Sequence, residues 1–324
     1  MIANSEKMNK NHDMVDVEKI RDKITLENLV DKIISEYKNE PIDLLGFGDA
    51  DDEYRYLLFL RDSYIRTLSD LVGYFKKARA DSIKVLEIGP FLGIVSVALS
   101  ELGFNVTVTD IKEFVSCKNL QTKFQKYKIS YIESNLRDYK LPFNDNEYDL
   151  VIMCEVLEHL NFNPLPVLKE INRILKLNGL LYLSLPNIAK LENRLKLLGG
   201  ESIHNPIIDF FNQLNPNDNS IVGLHWREYT MNEIKEMLEQ MDFKIIIQKY
   251  YSVPFQQTKK VNFKKIIKKA IRHIINFKPI KRIIYSCILD NENDPTLGDT
   301  LVNYALKNKI CSRQFHFTDA TTPK

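Results

Sequence analysis

Residues 85–111 read VLEIGPFLGIVSVALSELGFNVTVTDI. A short apolar run, preceded by Ile83 and Lys84, ends at Gly89. This is the pattern of a strand buried on both faces in a parallel sheet. VSVALSEL then predicts a helix, and NVTVTD a second strand ending in Asp110. Gly89 and Gly93 bracket the strand-to-helix turn, where a missing side chain lets a ligand approach bare backbone. A dinucleotide fingerprint would be GxGxxG. Here the turn is GPFLG, with Pro90 in the second position and Glu87 two residues ahead of the first glycine.

The same alternation continues outward. KEFVSCKNLQTKF (112–124) predicts a polar helix and ISYIES (129–134) a third strand. YDLVIMCEV (148–156) is the fourth, and PLPVLKEINRIL (164–175) a helix that Gly179 is expected to stop. LLYLSLPN (180–187) is the fifth strand. TMNEIKEMLEQMDF (230–243) is a helix, KIIIQKYYSV (244–253) a sixth strand, and DTLVNYALK (299–307) a seventh. Strand and helix alternating at this spacing predict an α/β doubly wound sheet, with its ligand at the carboxyl ends of the strands.

Four regions are expected: a tail with helices over 1–80, a core over 81–254 with a lid near 188–224, a basic insertion over 255–296, and a last core strand with its tail over 297–324. Helical periodicity covers 17–38 and 52–79, the latter through Tyr56, Leu57, Leu60, Tyr64, Leu68, Leu71 and Phe75.

Composition removes several classes. The 324 residues are 44% hydrophobic and 27% charged with a net charge of +2, ordinary for a globular protein and without the basic field that nucleic acid attracts. No stretch approaches the roughly 18 apolar residues of a membrane span. The polar opening residues lack a secretory apolar region. The four cysteines are scattered without a CxxC pair, arguing against a disulfide framework or structural zinc. A cytoplasmic location is expected.

Asp110 stands at the tip of strand two, about twenty residues past the first glycine. A carboxylate there accepts both ribose hydroxyls of a nucleoside ligand, or else caps the next helix. Further on, CEVLEHL (154–160) offers Glu155, Glu158 and His159 at spacings that would share one helical face. GLHWREYT (223–230) adds His225 before a predicted helix. Two carboxylates and two imidazoles suit an octahedral ion with positions open to substrate hydroxyls. His159 or His225 alone would suit a general base, and both could equally be packing residues.

These motifs resemble the class I S-adenosylmethionine (SAM)-dependent methyltransferases, of the type 11/12-like group. The resemblance rests on ExGPxxG with its following Asp, on NLRDYKLPFNDNEYDLVIMCEVLEHL (135–160) and on LKEINRILKLNGLLYLSLPN (168–187). It implies a seven-stranded Rossmann-like sheet whose last two strands form an edge hairpin, here opened by the insertion. It implies that Glu87, Gly89, Pro90 and Gly93 cradle the methionine end of SAM, with Asp110 on the ribose and Ile111 beside the adenine. Asn135, where the family often has Asp, and the Leu136 backbone would meet the adenine edge, and Glu155 would face the methyl-donor pocket. The ExxEH block with a later His is similar to ubiquinone-pathway and small-RNA 2′-O-methyltransferases. That similarity implies Mg²⁺ or Mn²⁺ held by Glu155, Glu158, His159 and His225.

The expected reaction is O-methylation of a hydroxyl on a sugar, a lipid-linked or cell-surface glycan, or a small metabolite. An RNA 2′-O-methyltransferase, a silent SAM-binding scaffold and a nicotinamide oxidoreductase are the competing readings. Lysines interleaved with isoleucines over 259–284 make a basic amphipathic helix. It could touch the inner membrane face, or pack on the sheet edge with its charges in solvent.

Overall fold

A computed structural model describes residues 23–44, 50–212, 223–251 and 300–307. The tail before Lys23, the basic insertion over 255–296 with the stretch 259–284 for which membrane contact is one expectation, and part of the lid (213–222) lie outside the described residues. Cys287 and Cys311 do too, while Cys117 and Cys154 are free thiols.

Seven strands form one mixed sheet: β1 (Lys84–Ile88), β2 (Asn105–Asp110), β3 (Ser130–Glu133), β4 (Tyr148–Cys154), β5 (Leu175–Pro186), β6 (Phe243–Tyr251) and β7 (Thr300–Lys307). Their order is β3-β2-β1-β4-β5-β7-β6. β1, β4 and β5 run parallel, with Glu87 beside Ile152 and Met153 beside Leu183. β7 runs antiparallel to both β5 and β6. This is the doubly wound α/β sheet that the strand spacing predicts, with the seven strands and edge hairpin that the resemblance implies. The helices are α1 (Lys23–Asn39), α2 (Ala50–Tyr74), α3 (Ile94–Glu101), α4 (Lys112–Val115), α5 (Lys118–Lys126), α6 (Leu165–Ile174), α7 (Leu191–Leu198), α8 (Asp209–Asn212) and α9 (Met231–Gln240).

The described residues fall into two compact units. One holds the residues up to Lys84 with Phe91–Thr107 and Glu113–Tyr131. In it α1 packs on α2, and both pack on α3. Val30, Ile33 and Tyr37 on α1 and Leu57, Leu68 and Leu71 on α2 are fully buried, separated by steps of three or four residues or, from Leu57 to Leu68, by three whole turns. The second unit holds Val85–Pro90, Val108–Lys112 and the residues from Ile132 on. Its core joins Leu86 and Ile88 to Val151 and Met153, Leu181 and Leu183, and the apolar stripes of α6 and α9. α9 starts at a capping box: the Glu233 amide donates to Thr230 Oγ1, and the Thr230 amide donates to Glu233 Oε2.

Three local expectations are corrected. The helix expected over 112–124 is two, because Cys117 is extended and starts α5 afresh. α6 stops at Ile174, not at Gly179, which lies within β5. The left-handed residue of that reversal is Asn178, at φ 62°, and asparagine tolerates this region. The lid near 188–224 is not wholly irregular, since it carries α7 and α8.

Candidate active site

The turn after β1 is fixed by sterics. Gly89 has φ +68°, and a Cβ there would lie 2.5 Å from Val156 Cγ2. No side chain fits, whether or not a ligand is bound. Its amide donates to the Thr109 carbonyl at 3.0 Å, joining the ends of β1 and β2. Gly93 has φ +74° and starts α3; a Cβ there would meet Phe124 at 2.3 Å.

Acidic groups stand at the same strand ends. Glu87 is buried near the end of β1, and Pro90 is buried just past it. Asp110 is half-buried at the tip of β2, where its Oδ1 accepts the Ile111 amide at 2.8 Å. The Asp110 carbonyl accepts from the Ser134 amide, placing the residues after β3 alongside. Asn135 is exposed, and its Oδ1 accepts the Arg137 amide at 3.0 Å, capping the 3₁₀ turn Leu136–Asp138. That oxygen therefore has a local structural job.

The second cluster follows β4. Glu155, Glu158 and His159 do not share an α-helical face as their spacing suggested. Glu155 adopts φ +54°, and Glu158 and His159 then sit in the 3₁₀ turn Leu157–His159. Glu155 Oε1 accepts Ser184 Oγ at 3.4 Å. Left-handed backbone at a non-glycine residue costs of order 1–3 kcal/mol, and such residues concentrate at functional sites.

The turn is stitched to residues 224–228. The Trp226 and Arg227 amides donate to the Glu158 carbonyl at 2.7 and 3.3 Å. His159 Nδ1 lies 3.0 Å from the Leu224 carbonyl, and His225 Nδ1 lies 3.0 Å from Glu228 Oε1. The two imidazoles meet edge to face, with centroids 4.8 Å apart. Glu158, His159 and His225 each offer a ligand atom within 4.8 Å of the others. Glu155 is not part of that group.

The electrostatics separate these residues by role. Glu158 is fully buried, and neither carboxylate oxygen has a hydrogen-bond partner. Burial pushes its pKa well above the ordinary value, and the nearby Glu155 and Glu228 charges push the same way. His159 is pulled down to about 4, by burial first and by His225 second. A carbonyl can only accept, so His159 Nδ1 carries the proton and Nε2 keeps its lone pair. Burial pushes the Glu228 pKa up, but the hydrogen bond from His225, the His225 and Lys190 charges and the Asn193 bond together bring it below the ordinary value. His225 is thus aligned by a carboxylate behind it, as bases in hydrolytic triads are. Sequence reading passed over Glu228. The signal was present in HWRE, where His225 and Glu228 are three residues apart.

A groove of about 760 Å³ opens beside this cluster. Leu160, Phe162, Trp226, Tyr229 and Met237 line it together with Arg227. Leu160 and Trp226 each directly follow one of the two histidines.

The fold is a doubly wound α/β sheet with carboxylates near the ends of β1 and β2. Residues 86–183 match the family described as "Methyltransferase domain". This stretch is a class I SAM-dependent methyltransferase domain, and SAM is its cofactor. Among curated relatives, the chain is 29% identical over 109 residues to a ubiquinone biosynthesis O-methyltransferase of Rickettsia typhi, covering 33% of this chain and 43% of that one. With the enzyme of that name from Rickettsia conorii it shares 26% over 178 residues, covering 52% and 60%. The matches span about half the length of these relatives. Among solved structures, a SAM-dependent methyltransferase from Archaeoglobus fulgidus is 18% identical with a TM-score of 0.44, covering 78% of this chain and 99% of that one.

Proposed function

We propose that the chain transfers a methyl group from SAM to a hydroxyl oxygen of a small molecule, with His225 as the base. The observation that carries this reading is the imidazole pair after β4, one ring backed by a carboxylate. The relatives are named as O-methyltransferases, which supports oxygen as the acceptor atom. The groove along Phe162, Trp226 and Tyr229 suits an aromatic or largely apolar acceptor. Asn161, Asn163, Arg227, Glu233, Glu236 and Gln240 also line it, offering hydrogen bonds to polar groups on the acceptor.

The donor set fits the cofactor. Glu87 supplies a buried carboxylate for an ammonium, Asp110 one for a ribose diol, and Gly89 bare backbone between them. SAM supplies an electrophilic methyl on a sulfonium. The chain's residues align the acceptor, hold water out and take the proton. Glu228 accepts from His225 Nδ1 and so favours the tautomer that leaves the Nε2 lone pair as the proton acceptor. His159, held neutral, stays available as a ligand.

The same cluster fits a divalent cation. Two buried carboxylate oxygens without partners are costly unless a cation meets them. Glu158, His159 and His225 would hold Mg²⁺ or Mn²⁺, which lowers the pKa of a bound hydroxyl. In that arrangement His225 would be a ligand rather than the base, and the metal would acidify the acceptor hydroxyl enough for its proton to pass to water.

Methyl transfer from labelled SAM to a panel of phenols, catechols, sugars and an RNA oligomer, with EDTA or with Mn²⁺, tests both readings. Methylated phenolic oxygen is expected, and transfer to RNA alone would refute the proposal. Loss of transfer in EDTA with recovery in Mn²⁺ selects the metal, and indifference to chelator selects the His225 base.

A further inference from the structure

The turn that follows Gly89 is gripped by helices lying outside the methyltransferase family match. Tyr37 on α1 is 1% exposed, and its hydroxyl donates to the Leu92 carbonyl. Leu92 is itself buried. The α3 ladder begins one residue later, with the Val97 amide on the Gly93 carbonyl. The helix therefore leaves the Leu92 oxygen to be satisfied from elsewhere, as a buried carbonyl must be.

The neighbouring residues are held in the same manner. Phe91 adopts φ +52°, and its ring meets the edge of Tyr56 on α2, with centroids 5.8 Å apart. Gly93 lies against Phe124 on α5. Tyr37 is in turn fixed from its other side. The Lys123 ammonium sits 3.5 Å from its ring centroid and 3.2 Å from Glu36 Oε2. Glu36 also accepts from Lys126 at 3.2 Å and from the Tyr127 hydroxyl at 2.5 Å. Phe91, a non-glycine residue in the left-handed region, would otherwise sample other conformations when no ligand is bound.

We infer that Tyr37 is a positioning residue for cofactor binding, and that α1 and α2 preorganise the Phe91–Gly93 backbone. This rests on the reading that the 87–93 turn receives SAM. A turn already set in its binding conformation pays no ordering cost when the cofactor arrives. Tyr37 touches no reacting atom; it acts through Leu92.

The test is calorimetric binding of S-adenosylhomocysteine to the full chain, with hydrogen exchange of the backbone over 89–97. Tyr37→Phe keeps the ring and its cation contact but strands the Leu92 oxygen. We expect binding about tenfold weaker, the size of effect seen when a buried acceptor is left unmet. Exchange over 89–97 should quicken in the free protein and return to the wild-type level when the ligand is saturating. Tyr127→Phe is the control. It removes a bond to the same Glu36 but does not reach the turn, so affinity should hold.

Tyr56→Ala is a second probe. Tyr56 is 48% exposed, so its removal leaves the fold intact, and a few-fold loss of affinity is expected once Phe91 is released. Wild-type affinity in both Tyr37→Phe and Tyr56→Ala would overturn the inference. So would an equal loss in Tyr127→Phe, which would mean that general helix packing is responsible. If Tyr37→Phe fails to fold, Tyr56→Ala decides alone. Absence of binding by the unaltered chain would overturn the cofactor reading and this inference together.

Discussion

Replacing Glu158 with glutamine should change how stability depends on pH. Both of its oxygens are buried without partners, and the groups facing it are Glu155, Glu228, His159 and His225. Its folded pKa lies well above the unfolded value of 4.5. Above pH 4.5 the folded metal-free chain therefore binds more protons here than the unfolded chain does. Stability falls as pH rises towards the folded pKa, by about 1.4 kcal/mol per pH unit.

His159 acts in the opposite sense. Its pKa is about 4 folded against 6.5 unfolded, so it adds stability as pH rises across that interval and nothing further above it. Between pH 4.5 and 6.5 the two slopes nearly cancel. Above pH 6.5 that of Glu158 stands alone. Above pH 6.5 the wild type should lose stability relative to Glu158→Gln as pH rises towards the folded pKa of Glu158. Urea unfolding of both chains in EDTA at pH 6.5, 7.0 and 7.5 measures the difference. Saturating Mn²⁺ should flatten the wild-type slope and leave the variant unmoved. Parallel pH profiles for the two chains in EDTA would refute the reasoning, since they would mean that Glu158 titrates as an ordinary carboxylate.

Other outcomes follow from the same geometry. Glu228→Gln should lower turnover by roughly a hundredfold while S-adenosylhomocysteine binds normally, because general-base catalysis contributes about that much; stopped-time methyl transfer beside calorimetry checks this, and unchanged turnover would remove Glu228 from the mechanism. Gly93→Ala should cost about 2–5 kcal/mol, combining left-handed strain with overlap on Phe124; a melting temperature equal to wild type would contradict the 2.3 Å overlap. Asp110→Ala should weaken S-adenosylhomocysteine binding by one to two orders of magnitude, from loss of about 1.5–3 kcal/mol in charged hydrogen bonds. Normal binding by that variant would take the ribose away from β2.

The strands were legible because each is bounded by a change of pattern. β1 ends at a glycine, β2 at an aspartate, and β4 and β5 each hold a buried apolar run, Leu150–Met153 and Leu180–Leu183, of the kind a sheet buried on both faces accommodates. Asn178 was harder to read, because glycine is the commoner left-handed residue and stood next to it. The active-site block was half legible. Residue types and approximate place could be read from CEVLEHL and GLHWREYT. The shared helical face could not, because a left-handed Glu155 followed by a 3₁₀ turn breaks the 3.6-residue period. Tyr37 was invisible in sequence, since its role depends on a contact 55 residues away.

The position of β7 has a consequence for biogenesis. It lies between β5 and β6, yet it follows both in the chain, after residues 252–299. While the protein is being synthesised, β5 carries an open rim and β6 has no neighbour to zip onto until residues 300–307 leave the ribosome. During that interval the nascent chain exposes two strand edges competent for promiscuous pairing. A chain ending before Thr300 should therefore aggregate more readily than the full chain.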